Sequence, residues 1–346
     1  MTVPRRHVAG LQGAWLRLKW IGRILWNIAR RAEAAKSYPD RVVEVLWNQL
    51  PVAVRSWRVV QAIGRLIHRR ARRLQQRGGG NQTANYTRFF RNLPQLELIR
   101  DLTGETPRGV PLKIAVLGCS TGAELYSAVW VMRTAWPQRE VQALGIDLSE
   151  AWIQTAASGV YPLHLAEVAG ISEGSYEGLF SRHGDTLHVQ QWLKEGVRWW
   201  VGDVCSSDLA AEFGLQDVVF ANNFLFHMDA KRSGTCLRNL ARLVAPSGYL
   251  VLSGVDLDVR SRTVRELGLS PVTARLEDIY TAEEGMLTAW PFRFWGLEPI
   301  DRKRQDWPTR YTTVFRLPDA VREVRARTSE AAGPRKPGAA KRELEC

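Results

Sequence analysis

The chain has 346 residues, 45% apolar and 24% charged, which suits one large or two moderate folded domains and excludes a disordered protein. Its formal charge is +13, yet residues 1–80 hold 17 Lys and Arg against three acids, so a basic front precedes a nearly neutral body. Cys119, Cys205, Cys236 and Cys346 form no CxxC pair, which argues against a zinc or other metal site and a disulfide framework and for a reducing cytoplasm, while no apolar run reaches the ~18 residues of a membrane span.

At the N-terminus, Arg17, Lys19 and Arg23 interrupt any signal-peptide core. In 14–32, Ala14, Leu18, Ile21, Leu25, Ile28 and Ala32 recur at steps of three and four, a helical face with Trp15, Trp20 and Trp26 beside it. Two more helices are predicted at about 41–50 and 53–76, the second ending in HRRARRLQQR before Gly78-Gly79-Gly80. Residues 1–80 read as a basic helical module. Its charge suits an acidic protein surface, an anionic membrane surface met through residues 1–77, or, less favoured, nucleic acid.

From about 110 strands alternate with helices. KIAVLG, VQALGID, VRWWVGD, DVVFANN and GYLVLSG read as strands, and RYTTVFRL as a closing strand. ELYSAVWVMRTAW, SEAWIQTAASG and about 229–244 read as helices. The alternation predicts an α/β domain over 81–318, a mainly parallel, Rossmann-like sheet covered by helices. Residues 319–346, charged and rich in Ala and Pro, read as a disordered tail.

The first strand of this domain runs into GCSTGAE. Gly118 and Gly122 are four apart, so this is neither GxGxxG nor a P-loop. Glu124, two residues past the second glycine, occupies the helix N-terminus where a pyrophosphate would sit. The acid suits a ligand with a cationic end, and a nucleoside joined to an amino acid, S-adenosyl-L-methionine, has one. Asp147 ends the second strand, where an acid can accept both ribose hydroxyls, and Asp203 ends the third, within reach of an adenine amino group. A strand-end aspartate taken singly often only caps a turn; three acids at three successive strand ends make a stronger signal.

These segments resemble the CheR-type protein-glutamate O-methyltransferases, a class I methyltransferase family. GCSTGAELYSA is similar to their CSTGEEPYS, TANYTRFFRN to TxNxTxFFR, GIDLSEAWIQTAASGVY to a segment ending SGxY, FANNFLFHMD to CRNVLIYFD and PSGYLVLSG to PGGxLxLG. The resemblance implies a cofactor site of Asn85, Gly118, Thr121, Gly122, Glu124, Asp147, Asp203, Val204, Asn222 and Asn223, with Glu124 on the ammonium, Asp147 on the ribose and Asp203 on the adenine edge. It places Arg91 beside the transferred methyl and the substrate carboxylate, with Thr87 on the same face if the segment is helical, and His227 near the reaction centre. The bland readings of Asn85 and Thr87 are helix caps, and of Arg91 a surface ion pair.

The chain also departs from the pattern. His227 stands for the usual tyrosine, Asn222 for the arginine, Ala123 for the first glutamate and Leu125 for the proline. Family members often carry a small β-subdomain that helps dock onto the receptor. In 271–317 this chain has instead an aromatic-rich segment with Trp290, Phe292, Phe294, Trp295 and Trp307, read first as core or lid packing and second as a pocket wall. Three functions compete: methylation of a carboxylate on a protein or small molecule, methylation of nucleic acid, or cofactor binding without catalysis at a membrane surface. Against the second, the fourth strand ends in ANNF and not an NPPY-like motif, and no Pro-Cys pair follows.

Overall fold

The computed structural model describes residues 20–24, 26–27, 41–55, 57–77, 87–104, 109–169, 171, 178–282, 290–291, 297–318 and 343–344. The chain divides into two compact units: Met1–Asn81 with Met286–Pro299, and Gln82–Gly285 with Ile300–Cys346.

In the first unit, a helical turn at 20–24 precedes α1 (Arg41–Asn48), α2 (Val52–Arg55) and α3 (Arg58–Arg77). The predicted third helix is thus two pieces. Ile21, Ile24, Val43, Trp47, Leu50, Val54, Val60 and Ile67 form its core, together with Trp290. Trp290 meets Trp47 edge to face at 5.5 Å, and a Cβ on Gly64 would lie 2.2 Å from the Trp290 ring, so a bare backbone is needed there. Trp290 of the aromatic segment is therefore core; Phe292, Phe294 and Trp295 lie outside the described residues.

The second unit opens with α4 (Leu93–Thr103) and continues as β1 (Leu112–Leu117), α5 (Ala123–Ala135), β2 (Val141–Asp147) and α6 (Glu150–Ser158). After β3 (Val160–Pro162), β4 (Phe180–His183), β5 (Thr186–Val189) and α7 (Gln191–Lys194) come β6 (Val197–Val201), α8 (Leu209–Phe213), β7 (Gln216–Asn222) and α9 (Ala230–Leu243). The unit closes with β8 (Val244–Ser253), α10 (Leu257–Glu266), β9 (Ser270–Pro271), α11 (Leu276–Thr281), α12 (Trp307–Tyr311), β10 (Val314–Arg316) and β11 (Glu343–Leu344).

The main sheet has the order β11-β6-β2-β1-β7-β8-β10-β9. The pairs β6/β2, β2/β1, β1/β7 and β7/β8 are parallel, and β10 and β11 add antiparallel edges. Both faces are buried, as a parallel sheet requires. In β1, Leu112, Ile114 and Val116 enter the core on one face, and Ala115 and Leu117 the core on the other. Strand order turns back at β1, with β2 on one side and β7 on the other, which makes the crevice between the carboxyl ends of β1 and β7 the ligand position of such a sheet. This is the doubly wound α/β fold that the alternation predicts.

One expectation is corrected and one condition is settled. A small β-subdomain is present, at 160–189: β3, β5 and β4 form an antiparallel three-stranded sheet, closed by a two-residue turn at Gly184-Asp185 with Gly184 at φ +59°. The segment before α4 is not helical: residues 89–92 form turns, and Phe90 at φ +50° breaks any helix, so Thr87 and Arg91 share no helical face. Within 319–346, Glu343–Leu344 pairs along β6, and the rest of that predicted tail lies outside the described residues.

Candidate active site

The turn between β1 and α5 is shaped by its own neighbours. Gly118 has φ +65°, and a Cβ there would lie 2.8 Å from the Phe224 ring. Gly122 caps α5 at φ +87°, and its Cβ would lie 2.7 Å from Trp199 and 2.9 Å from the Ala156 Cβ. Both glycines are thus required before any ligand is considered. Ser120 between them also has positive φ (+55°), as does Asn223 (+62°) across the crevice, and backbone strain of this kind gathers at functional sites.

Glu124 lies in the first turn of α5, where the helix dipole favours an anion. Its Oε1 accepts a short hydrogen bond from Asn222 Nδ2, at the end of β7. The same amide nitrogen donates to Gln95 Oε1 at 3.0 Å, and Gln95 Nε2 donates to Thr313 Oγ1 at 2.8 Å. An ionised Glu124 can only accept, so it fixes which end of the Asn222 amide faces it, and Asn222 in turn orients Gln95. Both Asn222 N–H bonds are used, and Asn222 Oδ1, buried, has no partner among the described residues.

These groups open on one narrow cleft, lined by Arg91, Asn92, Gln95, Glu124, Ser127, Asn222, Asn223 and Ser253, with Leu96. Arg91 is held by the turn before α4. There Phe90 N donates to Ser127 Oγ at 2.9 Å, Arg88 Nη2 donates to the Arg91 carbonyl at 3.3 Å, and Phe89 packs on Tyr161 and Phe180. Asn92 caps α4 by accepting from Gln95 N and donates to the Ile279 carbonyl at 3.0 Å. The structure therefore brings Arg91, Glu124, Asn222 and Asn223 together.

The other predicted residues surround this cleft. Asp147, buried at the end of β2, accepts from Ser120 N at 2.8 Å and Ser149 N at 3.0 Å. Burial raises its carboxyl above the usual value, opposed by the backbone N–H groups of Ser149, Ser120 and Leu148. Each oxygen carries a further lone pair, so the turn-bracing role leaves room for ribose hydroxyls. Thr121 donates to Glu167 Oε1 at 3.2 Å, and its carbonyl accepts from Tyr161 Oη. Asp203 is exposed after β6 and accepts from Cys205 N at 2.9 Å, an Asx turn. The Val204 side chain is buried in the core, which leaves its backbone as the part a ligand can meet.

His227 is exposed beyond β7, its ring 4.1 Å from Phe226, and is not a wall of the cleft. Partial loss of hydration lowers its pKa. Thr87 is half-buried at the start of the described turn, and Asn85 lies outside the described residues. Sequence reasoning missed Gln95, a buried polar residue of α4 with no motif around it, whose role comes from facing the buried Asn222. Among the described residues, no group of His, Cys, Asp and Glu could hold a metal ion, and no helix is long and apolar enough to cross a membrane.

Comparison with known proteins follows the same residues. The chain is 26% identical over 178 residues to chemotaxis protein methyltransferase 2 of Vibrio cholerae, 49% of this chain and 61% of that protein. It is 29% identical over 180 residues to the probable biofilm formation methyltransferase WspC of Pseudomonas putida, 51% of this chain and 40% of that protein. The chain thus spans about two fifths to three fifths of the length of these relatives. A solved structure, the magnesium protoporphyrin IX methyltransferase of Synechocystis PCC 6803 with bound SAM, overlays weakly, with a TM-score of 0.30 and 16% identity over 58% of this chain and 80% of that one. The model of the CheR methyltransferase SAM-binding domain matches residues 85–262, which hold the turn, the three strand-end acids and the whole end of β7. That match spans just over half of the sequence, and the chain belongs to the CheR methyltransferase family, through its SAM-binding domain.

Proposed function

We propose that the chain is an S-adenosylmethionine-dependent methyltransferase whose acceptor is a carboxylate, a glutamate side chain of a protein. The observation that carries this reading is the Glu124–Asn222 pair at the point where strand order reverses, with Arg91 on the same cleft. The residues present fit the cofactor. Glu124 and the unpartnered Asn222 Oδ1 are acceptors suited to an ammonium, and a carboxylate at the helix N-terminus is unsuited to a phosphate. Asp147 and Asp203 would take the ribose and the adenine edge, beside the backbone of Gly118, Thr121, Gly122, Val204 and Asn223. When bound, the cofactor supplies a methyl group on a positively charged sulfur.

The chain's own residues then have simple tasks. A substrate glutamate, with a reference pKa of about 4.3, is already ionised at pH 7, so no general base is required. Arg91 orients the carboxylate through two parallel hydrogen bonds. The cleft aligns the reactants and excludes water. We assign His227, exposed beyond β7, to the acceptor and not to the cofactor. The exposed Trp20, Trp26 and Trp57 of the basic helical unit, with Val59 and Leu66, support an anionic membrane surface as that unit's partner, and our reading is of a cytoplasmic enzyme peripheral to the membrane.

The test is transfer of label. Purified protein given methyl-tritiated cofactor and a bacterial lysate is expected to leave base-labile label on protein. Alkali-stable label on RNA, label on small molecules alone, or cofactor binding with no transfer to any fraction would overturn the reading.

A further inference from the structure

The adenine-side loop carries a pair of cysteines that the cofactor chemistry does not use. Cys205 follows Asp203 and Val204 after β6; Cys236 is buried in the second turn of α9. Several contacts hold them together. Cys205 Sγ donates to Met228 Sδ at 3.7 Å, and each thiol shifts the titration of the other. Asn239, three residues on from Cys236, donates to the Cys205 carbonyl at 2.8 Å, and Cys236 Sγ lies 4.0 Å from the Val204 carbonyl. Cys205 is half-buried and Cys236 almost fully buried, so one sulfur is reachable and the other lies behind it.

We propose that Cys205 and Cys236 are an oxidisable dithiol, converted by a peroxide to a disulfide that weakens cofactor binding at Asp203 and Val204. The thiolate of Cys205 attacks one oxygen of hydrogen peroxide, breaking the O–O bond and releasing hydroxide, which takes up a proton to become water. The resulting sulfenic acid is attacked by the Cys236 sulfur; the S–O bond breaks, a second water leaves, and the S–S bond forms. In total, two thiols are oxidised and one peroxide is reduced to two waters. Their closeness lowers the Cys205 pKa and raises that of Cys236, so the more accessible member is the nucleophile.

The effect on the site follows from geometry. A disulfide needs its sulfurs about 2.05 Å apart, well inside the contact distance of two unbonded thiols. Cys236 is fixed in a 14-residue helix, so the loop moves. That loop is tied to the cofactor side, because Cys205 N is the donor that holds the Asp203 carboxylate.

The effect on affinity rests on the cofactor reading above; the oxidation chemistry does not. The full chain carrying Cys346→Ser, to remove a cysteine outside the described residues, is treated with hydrogen peroxide and digested without reduction for peptide mass spectrometry. The expected result is a Cys205–Cys236 cross-link, reversed by dithiothreitol and absent in Cys236→Ser, with affinity for S-adenosylhomocysteine reduced about tenfold in the oxidised form and restored on reduction. Oxidation of Cys205 to a sulfinic acid with no cross-link, or a cross-link that leaves the affinity unchanged, would overturn the proposal. If the reduced protein binds no cofactor analogue, the cofactor reading fails, and the cross-link is still read on its own.

Discussion

The side chain that gives the cleft its direction is Glu124, and its influence passes through two neutral amides. Asn222 spends both N–H groups on acceptors, one on Glu124 and one on Gln95. Gln95→Leu removes the second acceptor and strands a buried N–H, a loss of about 1–3 kcal/mol. A lowered denaturation midpoint together with weaker binding of S-adenosylhomocysteine is expected; an unchanged midpoint would mean Asn222 finds another partner. Arg91 acts on the acceptor. Arg91→Ala is therefore expected to lower kcat about 100-fold, the scale of a misaligned reactant, while affinity for S-adenosylhomocysteine, measured by calorimetry, stays near that of the parent. An equal loss in both would place Arg91 on the cofactor.

At the scale of elements, the β1–α5 turn is the part that admits no side chain. Gly122→Ala forces a Cβ onto Trp199 and Ala156 at a left-handed φ, and is expected to cost about 3 kcal/mol, read as a fall in chemical stability. This turn was legible in the sequence, because a glycine between an apolar strand and a helix announces a positive φ. The parallel strands were legible too, since both-face burial leaves continuous apolar runs such as KIAVLG. Gln95 was not, because a buried polar residue gains its meaning from partners 127 and 218 residues away. The β-subdomain was missed for a different reason. FSRHGDTLHV alternates weakly, with charged and polar residues on its open face, so only the Gly184-Asp185 turn marks the hairpin. Whether 89–92 is helical was not legible in FFRN, because the left-handed Phe90 is held by a hydrogen bond from its N–H to the Ser127 hydroxyl, 37 residues away.

At the scale of the whole molecule, charge and chemistry are separated along the sequence. The basic excess lies in residues 1–80, and the cleft lies within 91–253. Binding of the full chain to phosphatidylglycerol vesicles is expected in flotation at low salt and is expected to be lost near 0.5 M salt, where screening shortens to a few ångströms; no flotation at low salt would remove the membrane from the list of partners. The central claim is that this sheet holds a cationic nucleoside by a carboxylate at the head of α5. Calorimetric titration of the full chain with S-adenosylhomocysteine, parent against Glu124→Gln, tests it most directly. Saturable binding by the parent, weakened 10-fold to about 100-fold by the loss of one charged hydrogen bond, is predicted; no binding by the parent, or equal affinity in the two proteins, would contradict it.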